Sequence, residues 1–521
     1  MTEHDVAALT DLPDGGLTSV DVEDLKILLV RDGQTVHAIG AICPHAGGPL
    51  EQGIRNGDRI VCPWHKAAFC ISTGALLDPP AVDGLPRYDV RIDAERVLVT
   101  LPPAEPAQPN PDPDQRTFVI IGAGAAGAVA AQTLRETGFN GRVIMLDKDN
   151  KLPYDRTVLS KYVLSGEPNA EKSPLQSESF YREHRIERRA AHVVALDSAC
   201  NEIRCADGST LKYDAALLAT GAAPVRPDIP GATLDNVFLL RSAADADAIR
   251  AQAERSQRAV VLGASFIGME VAASLRERGL DVTVVGKETA PFEKQLGAQI
   301  GNGFVGLHRK NGVTFRLGQE IKALEGHGEV QAVTLSNGER LEADLVVIGV
   351  GVRPVADYIH DFPLHPDGSI TVDGHLRIFR DLYAAGDVAR FPYRGWPTRV
   401  EHWRVAQQQG RIAALNMAGD GVVGKGVPYT GVPVFWTIQY MKRLDYIGHA
   451  TKWDDIIVHG DLEKPEFLAY YVKNGLVVAA AGLDRDQDTA ALIELFTERR
   501  AWKPDELGAT PSERFRNPRP I

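Results

Sequence analysis

Along the first hundred residues, apolar and polar positions alternate in short runs, "LKILLV", "TVHAIG", "RIVC" and "RVLVTL", separated by Gly, Asp and Pro. Alternation with a period of two predicts strands joined by turns, so residues 1–103 read as an all-β domain. The pattern then stops. "PPAEPAQPNPDPDQR", Pro102 to Arg116, carries six prolines and no hydrophobic periodicity. It reads as a semi-extended linker, set at 104–116. Beyond it the spacing becomes strand-then-helix: "TFVIIGAGAAGAVAAQTLRETG" is a buried strand, a glycine-rich turn and a helix. A second copy, "AVVLGASFIGMEVAASLRERGLDVTVV", begins at Ala259. Two such units predict two α/β dinucleotide-binding (Rossmann-like) domains, not a repeat array. "DLVVIGVGVRP" and "DLYAAGDVAR" read as the first unit resuming after the second. The expected layout is 117–240 with 345–428 for the first unit and 241–344 for the second, inserted in it. "EFLAYYV", "LVVAAAGLD" and the helix "DTAALIELFTERR" predict a C-terminal α+β domain over 429–521.

Composition narrows the function. The formal charge is -12 and no basic run of five or six residues occurs. Nucleic acid and anionic membranes are therefore not expected partners, since both need a concentrated cationic face. No stretch of 18 apolar residues predicts a membrane span. "MTEHDVAALTDLPDGG" lacks the layout of a signal peptide, so a cytoplasmic location is expected. The five cysteines, an odd and sparse set, point to metal or redox use and away from a disulfide scaffold.

Gly122-Ala-Gly124-Ala-Ala-Gly127 fits G-x-G-x-x-G directly after the strand "FVII". The first glycine permits the tight turn, the second lets backbone approach a pyrophosphate, and the third lets helix and strand pack closely. The helix N-terminus then offers free N–H groups to phosphates. Asp147 closes the next strand twenty residues after Gly127, where a carboxylate receives a ribose hydroxyl. Further on, "YAAGDVAR" (Asp387), "LLATGAAP" (Thr220, Gly221) and "PYDRTVLSK" (Pro153 to Lys161) resemble motifs of the FAD-dependent pyridine-nucleotide reductases. The last is similar to the "PYxRPxLSK" segment of ferredoxin reductases that serve oxygenases and of apoptosis-inducing-factor-like proteins, with Thr157 in place of the usual proline. The resemblance covers about Arg116 to Arg500 and implies the glutathione-reductase-type arrangement of the two nucleotide domains. It implies FAD on the first unit, Asp387 on the ribityl chain, and Arg156 and Lys161 against the flavin, with Lys161 near the reactive N5 edge.

In the second unit, Gly263-Ala-Ser265-Phe-Ile-Gly268 has serine at the middle glycine, where its Cβ would slightly crowd a pyrophosphate. Strand and helix keep the context, so a nicotinamide nucleotide is expected. The ribose-reading slot falls on Gly286 by hydrophobic register and on Glu288 by simple count from Gly268. Lys287 could meet a 2′-phosphate and Glu288 a 2′-hydroxyl. With no arginine nearby, NADH is favoured and NADPH is the alternative. The resemblance also implies that Glu270 pairs with Lys161; these two are the candidate catalytic residues.

Cys200 and Cys205 have the C-x-x-x-x-C spacing of a redox dithiol. They lie in a polar hairpin pattern, however, and the cysteine-free "PYDRTVLSK" occupies the flavin-side position, so they read as strand cysteines. "VEHWRVAQQQGRIAALN" predicts a helix from near Glu401, followed by "GVPVFWTIQY". Both are similar to segments that close over the flavin in the ferredoxin reductases, which implies His402, Trp403 and Trp436 near the ring.

Cys43, His45, Cys62 and His65 complete the set: C-x-H, sixteen residues, then C-x-x-H. Zinc fingers usually group like ligands in pairs. Here each of two loops in a β domain supplies one Cys and one His, with Pro after each Cys. This resembles Rieske ferredoxins, in which two cysteines hold one iron of a [2Fe–2S] cluster and two histidines the other. Neither loop has the additional cysteine of respiratory Rieske proteins, which implies a potential near the lower end of the roughly −150 to +300 mV Rieske range.

The three sites predict an NAD(P)H-dependent ferredoxin-reductase-like oxidoreductase. Its expected electron path is NAD(P)H, FAD, the fused cluster, then an external one-electron acceptor protein or oxygenase component; a cytochrome P450 system also fits. The alternative is a redox-sensing binding protein of low turnover. The linker, at most roughly 40–50 Å at about 3.1 Å per residue, is long enough for the first domain to dock and swing. A monomer or a homodimer is expected.

Overall fold

The structure is a computed structural model and describes residues 2–101, 114–167, 174–419, 426–464, 466–498 and 500–516. Most of the Pro-rich linker lies outside the described residues.

The first hundred residues form two antiparallel sheets. One has six strands in the order Glu3–Ala8, Arg96–Thr100, Arg87–Asp93, Thr35–Gly40, Leu25–Asp32 and Leu17–Val22. The other has four short strands, Ile54–Asn56, Arg59–Val61, Ala68–Cys70 and Leu76–Asp78. Within "LKILLV", Ile27 to Val30 are buried on both faces because alternate side chains serve different cores. Ile27 and Leu29 pack with Val97 and Val99. Leu28 and Val30 pack with Ile60, Phe69 and the two cysteines Cys43 and Cys62.

The next layer is a sheet ordered Ile186–Ala190, Arg142–Asp147, Thr117–Ile121, Ala215–Leu218, Leu382–Ala384 and Arg377–Phe379, parallel except at its last strand. Its central strands read as unbroken apolar runs, as strands covered on both faces do. Helix Ala125–Glu136 lies against helix Trp403–Ala418 so closely that a Cβ on Gly410 would stand 2.1 Å from the Ala126 carbonyl oxygen.

A second, wholly parallel sheet runs Val237–Leu239, Leu345–Ile348, Arg258–Leu262, Asp281–Gly286 and Thr314–Leu317. Here the structure corrects the sequence reading. Val237–Leu239 and Leu345–Ile348 were expected in the first unit, yet both pair in the second. An apolar run identifies a buried strand but carries no information about which of two neighbouring parallel sheets receives it. The C-terminal part is a five-stranded antiparallel sheet, Val434–Gln439, Lys442–Gly448, Leu476–Leu483, Glu466–Lys473 and Asp455–Asp461, backed by helix Asp486–Thr497.

The N-terminal domain is docked against the rest of the chain. Lys66 and Asp445, both buried, form an ion pair of 2.8 Å. Arg404, fully buried, donates from Nε to the Pro79 carbonyl (2.8 Å) and reaches Lys66 O at 3.3 Å. Arg59 pairs with Glu494 at 2.8 Å, and Gln132 donates to Val82 O at 2.6 Å. Ile54, Val61 and Ala68 share an apolar cluster with Ala490 and Ala491. No helix among the described residues is long and apolar enough to cross a membrane.

Candidate functional site

Cys43 and Cys62 are buried and unbonded to other cysteines. The two loops that carry them are closed by backbone hydrogen bonds, Cys43 N to Gly48 O and Cys62 N to Ala67 O. Glycine is required at position 48, because a Cβ there would lie 2.7 Å from Cys62 Sγ. The four candidate ligands meet as two pairs. The cysteines face each other; the Cys62 thiol is pushed down to about 6, first by the hydrogen bond from Cys43, against burial, and then by the Trp64 and His65 amides. The histidines approach with Nδ1 to Nδ1 at 3.2 Å. Burial first, then the positive charges around it, Lys161 among them, hold His65 well below the ordinary imidazole range. Two cysteines facing each other and two histidines facing each other are the donor set a two-iron cluster takes.

The histidine side of this site faces the rest of the molecule. Trp436, on strand Val434–Gln439, lies 4.9 Å from the His65 ring and 6.2 Å from the His45 ring, centroid to centroid. His45 Nε2 lies 3.7 Å from Asp155 Oδ2. Asp155 opens a tight turn, Arg156–Val158, that runs into a π-helical turn, Leu159–Val163. That second turn presents Ser160 and Lys161 inward, and wide turns of this kind are frequent at functional sites.

Lys161 Nζ and Glu270 Oε2 are 2.9 Å apart, with both side chains buried. Lys161 also donates to Thr157 O at 2.9 Å. Ser160 Oγ donates to the same Glu270 oxygen, and Thr437 Oγ1 donates to Oε1 at 2.6 Å. Gln439 Nε2 donates to Thr437 (3.0 Å), and its Oε1 meets His308 Nε2 at 2.7 Å. Apart from Thr157, all of these residues are buried. A polar chain thus runs from Lys161 through helix Phe266–Glu277 into the C-terminal sheet. Ser160, Thr437, Gln439 and His308 were not singled out from sequence, because nothing local marks a Thr or Gln on a strand as the partner of a distant carboxylate.

The first glycine turn is built for close approach. Gly122 has φ +103°, and a Cβ on it would stand 2.4 Å from Ala219 O; on Gly127 it would stand 1.9 Å from Gly122 O. At Gly124 a Cβ would meet nothing within 4 Å, and no side chain caps the helix that starts there, so its first N–H groups face open space. Asp147 accepts from Ala123 N at 3.0 Å. Asp387 pairs with Arg241 at 3.1 Å, and Thr220 Oγ1 donates to Val355 O. A Cβ on Gly221 would be 4.0 Å from Asp387 Oδ2. Gln409 accepts from Gly386 N, yet its Nε2 is buried without a partner, as are His402 Nδ1 and Trp403 Nε1. These unanswered polar groups suit a large polar ligand such as a flavin dinucleotide. The Arg156 guanidinium lies 5.6 Å from the Tyr154 ring centre.

In the second turn, Gly263 (φ +102°) and Gly268 make the same close approaches, to Gly349 O and Gly263 O. Ser265 uses its hydroxyl as the helix cap, accepting from Gly268 N at 3.2 Å and donating to Gly349 O at 2.8 Å. Strand register places Gly286 where Asp147 stands in the first unit. Ile121 pairs with Leu146, one before Asp147, and Leu262 pairs with Val285, one before Gly286. Lys287 is exposed, and Glu288 pairs with Lys294 at 3.2 Å. Cys200 is exposed, Cys205 is buried on strand Glu202–Cys205, and both are free.

Comparison with known proteins gives the same division. Residues 2–89 match the Rieske [2Fe-2S] domain, 116–410 the pyridine nucleotide-disulphide oxidoreductase family, and 434–516 the reductase C-terminal domain. The chain is 36% identical over 526 residues to a Mus musculus protein named apoptosis-inducing factor 3, covering 97% of this chain and 86% of that one. It is 31% identical to rhodocoxin reductase of Rhodococcus erythropolis, over 76% of this chain and 92% of that one. The crystal structure of the ferredoxin reductase for the CYP199A2 system from Rhodopseudomonas palustris superposes with a TM-score of 0.71 at 30% identity, over 76% of this chain and 97% of that one.

Proposed function

Because the chain belongs to the pyridine nucleotide-disulphide oxidoreductase family, with a Rieske domain before that region and a reductase C-terminal domain after it, we propose that it is a self-contained ferredoxin-reductase-type enzyme. It takes electrons from NAD(P)H and delivers them, through FAD and its own [2Fe–2S] cluster, to an external one-electron acceptor. FAD exchanges electron pairs with nicotinamide and single electrons with an iron–sulfur centre, which is why the three sites belong together. The observation that carries the reading is convergence. The Lys161–Glu270 pair and the His45–His65 pair approach one boundary, where Trp436 lies 4.9 Å from His65 and Asp155 lies 3.7 Å from His45.

In this reading two Rossmann-like domains bind the dinucleotides. Gly122, Gly124 and Gly127 admit the FAD pyrophosphate, and Asp147 and Asp387 orient its hydroxyls. Gly263, Ser265 and Gly268 admit the nicotinamide nucleotide. Glu270 holds Lys161 in place beside the flavin, and burial of the pair away from water strengthens the field of that ammonium. Cys43, His45, Cys62 and His65 hold the cluster. NADH is the preferred donor, since Glu288 can meet a 2′-hydroxyl and the stretch Gly286-Lys287-Glu288 itself holds no arginine to receive a 2′-phosphate. The sparse, unpaired cysteines fit a cytoplasmic enzyme. Anaerobic titration with NADH, followed by absorbance and EPR, tests the reading. Flavin bleaching together with a reduced-cluster signal of average g below two is expected; bleaching with no such signal refutes the internal path.

A further inference from the structure

The sequence reading of "PYDRTVLSK" gave roles to Arg156 and Lys161 and none to Asp155. In the structure Asp155 uses its two oxygens differently. Oδ1 accepts from Thr157 N at 2.7 Å, and Oδ2 faces His45 Nε2 at 3.7 Å, at ion-pair distance, across the boundary between the N-terminal domain and the reductase. The His45 and His65 Nδ1 atoms face each other, so Nε2 of His45 is the outer ring nitrogen, the one a ligand histidine leaves for a second partner. Both side chains are largely buried, 14% exposed for His45 and 12% for Asp155. Thr157 matters for the same reason. Proline, usual at this place in the resembling segment, has no N–H and could not aim the carboxylate. The Thr157 carbonyl also accepts from Lys161 Nζ, so one residue ties the flavin-side lysine and the cluster-side carboxylate together.

We propose that Asp155 is a positioning residue for the cluster: its carboxylate, aimed by the Thr157 amide, fixes the His45 ring across the domain boundary and lowers the cluster's reduction potential. A partner on the outer nitrogen sets ring orientation and raises ligand basicity. A buried negative charge beside the ligand favours the more positive, oxidised state. The proposal rests on the reading of Cys43, His45, Cys62 and His65 as cluster ligands.

The test is a dye-mediated redox titration of the full-length protein, loaded with FAD and cluster, followed by EPR. Asp155→Asn keeps an oxygen for the Thr157 amide, since asparagine caps as well as aspartate, and removes only the charge. The expected result is a more positive midpoint, by a tenfold change in the oxidised-to-reduced ratio at fixed potential, about 59 mV for one electron, with altered g values. An unchanged midpoint and unchanged g values at equal cluster content overturn the proposal. If Asp155→Asn holds less cluster, Thr157→Pro decides: it keeps the charge but loses the aim, and a midpoint moved in the same direction supports the proposal, an unmoved one overturns it. A parent protein with no Rieske-type signal would defeat the ligand reading itself, an outcome distinct from an insensitive variant.

Discussion

Glu270→Gln is the most informative single change in the reductase. Glu270 is 3% exposed and accepts from Lys161, Ser160 and Thr437. Glutamine has nearly the same shape, and the two hydroxyls can rotate to suit its amide, so packing is preserved. What disappears is the counter-charge of a lysine that is 8% exposed. Removing one partner of a buried ion pair costs about 3–5 kcal/mol, because the remaining charge stays out of water. With two of the three hydrogen bonds retained, the lower end, about 3 kcal/mol, is expected. Urea unfolding followed through flavin fluorescence reads this change. The cycle of Glu270→Gln, Lys161→Met and the double variant isolates the pair, and the double variant should fall short of the summed single losses by about 2 kcal/mol. Anaerobic stopped-flow mixing with NADH should show flavin reduction slowed in both single variants. Single effects that add to within about 0.5 kcal/mol would mean the two side chains are neighbours without coupling, and the account of Lys161 would fail.

Lys66→Met, which leaves the buried Asp445 with Arg443 at 3.5 Å and the Thr489 hydroxyl at 2.8 Å but without its ammonium partner, should lower stability by about 3–5 kcal/mol, while adding Asp445→Asn should recover most of it; differential scanning calorimetry checks both. His308, fully buried with Nδ1 unpartnered, is pushed from 6.5 down to about 4 by burial, so on acidification the unfolded chain binds this proton before the folded one. Its contribution is complete above pH 6.5 and is lost as pH falls from 6.5 towards 4, roughly 3 kcal/mol over that window. Stability curves of the parent and His308→Gln that run parallel between those pH values would contradict this.

What could be read from sequence was what is local. Glycine turns announce themselves beside their strands, and the paired Cys and His spacings carry their chemistry within a few residues. Even the conflict between Gly286 and Glu288 was visible, and strand register puts Gly286, not Glu288, at the position equivalent to Asp147. Contacts between distant segments were not legible. Asp155 stood inside a segment already singled out, but its partner lies in another domain. Thr437 and Gln439 look like ordinary strand residues until helix Phe266–Glu277 is packed beside them. Lys66, following the second ligand loop, gave no sign that its ammonium would be fully enclosed. Its backbone, at φ +67°, is unusual for a lysine, and conformational strain of this kind shows only in three dimensions. The apolar run holding Leu345–Ile348 was placed with the first unit, and Val237–Leu239 fell within that unit's bounds, yet both pair in the second sheet, since pairing partners are chosen by the folded whole.

The buried charges at the boundary bear on modularity. A chain cut at the Pro-rich segment would not separate into two ready-made proteins. The N-terminal piece would expose Lys66 and the carbonyls of Pro79 and Pro80, and the reductase piece would strand Arg404 and Asp445 on a surface built to be covered. Exchange of iron–sulfur domains between such enzymes should therefore succeed only when Arg404, Asp445 and their partners travel together. In this architecture the domain boundary in the gene is a poor guide to the unit that can be transplanted.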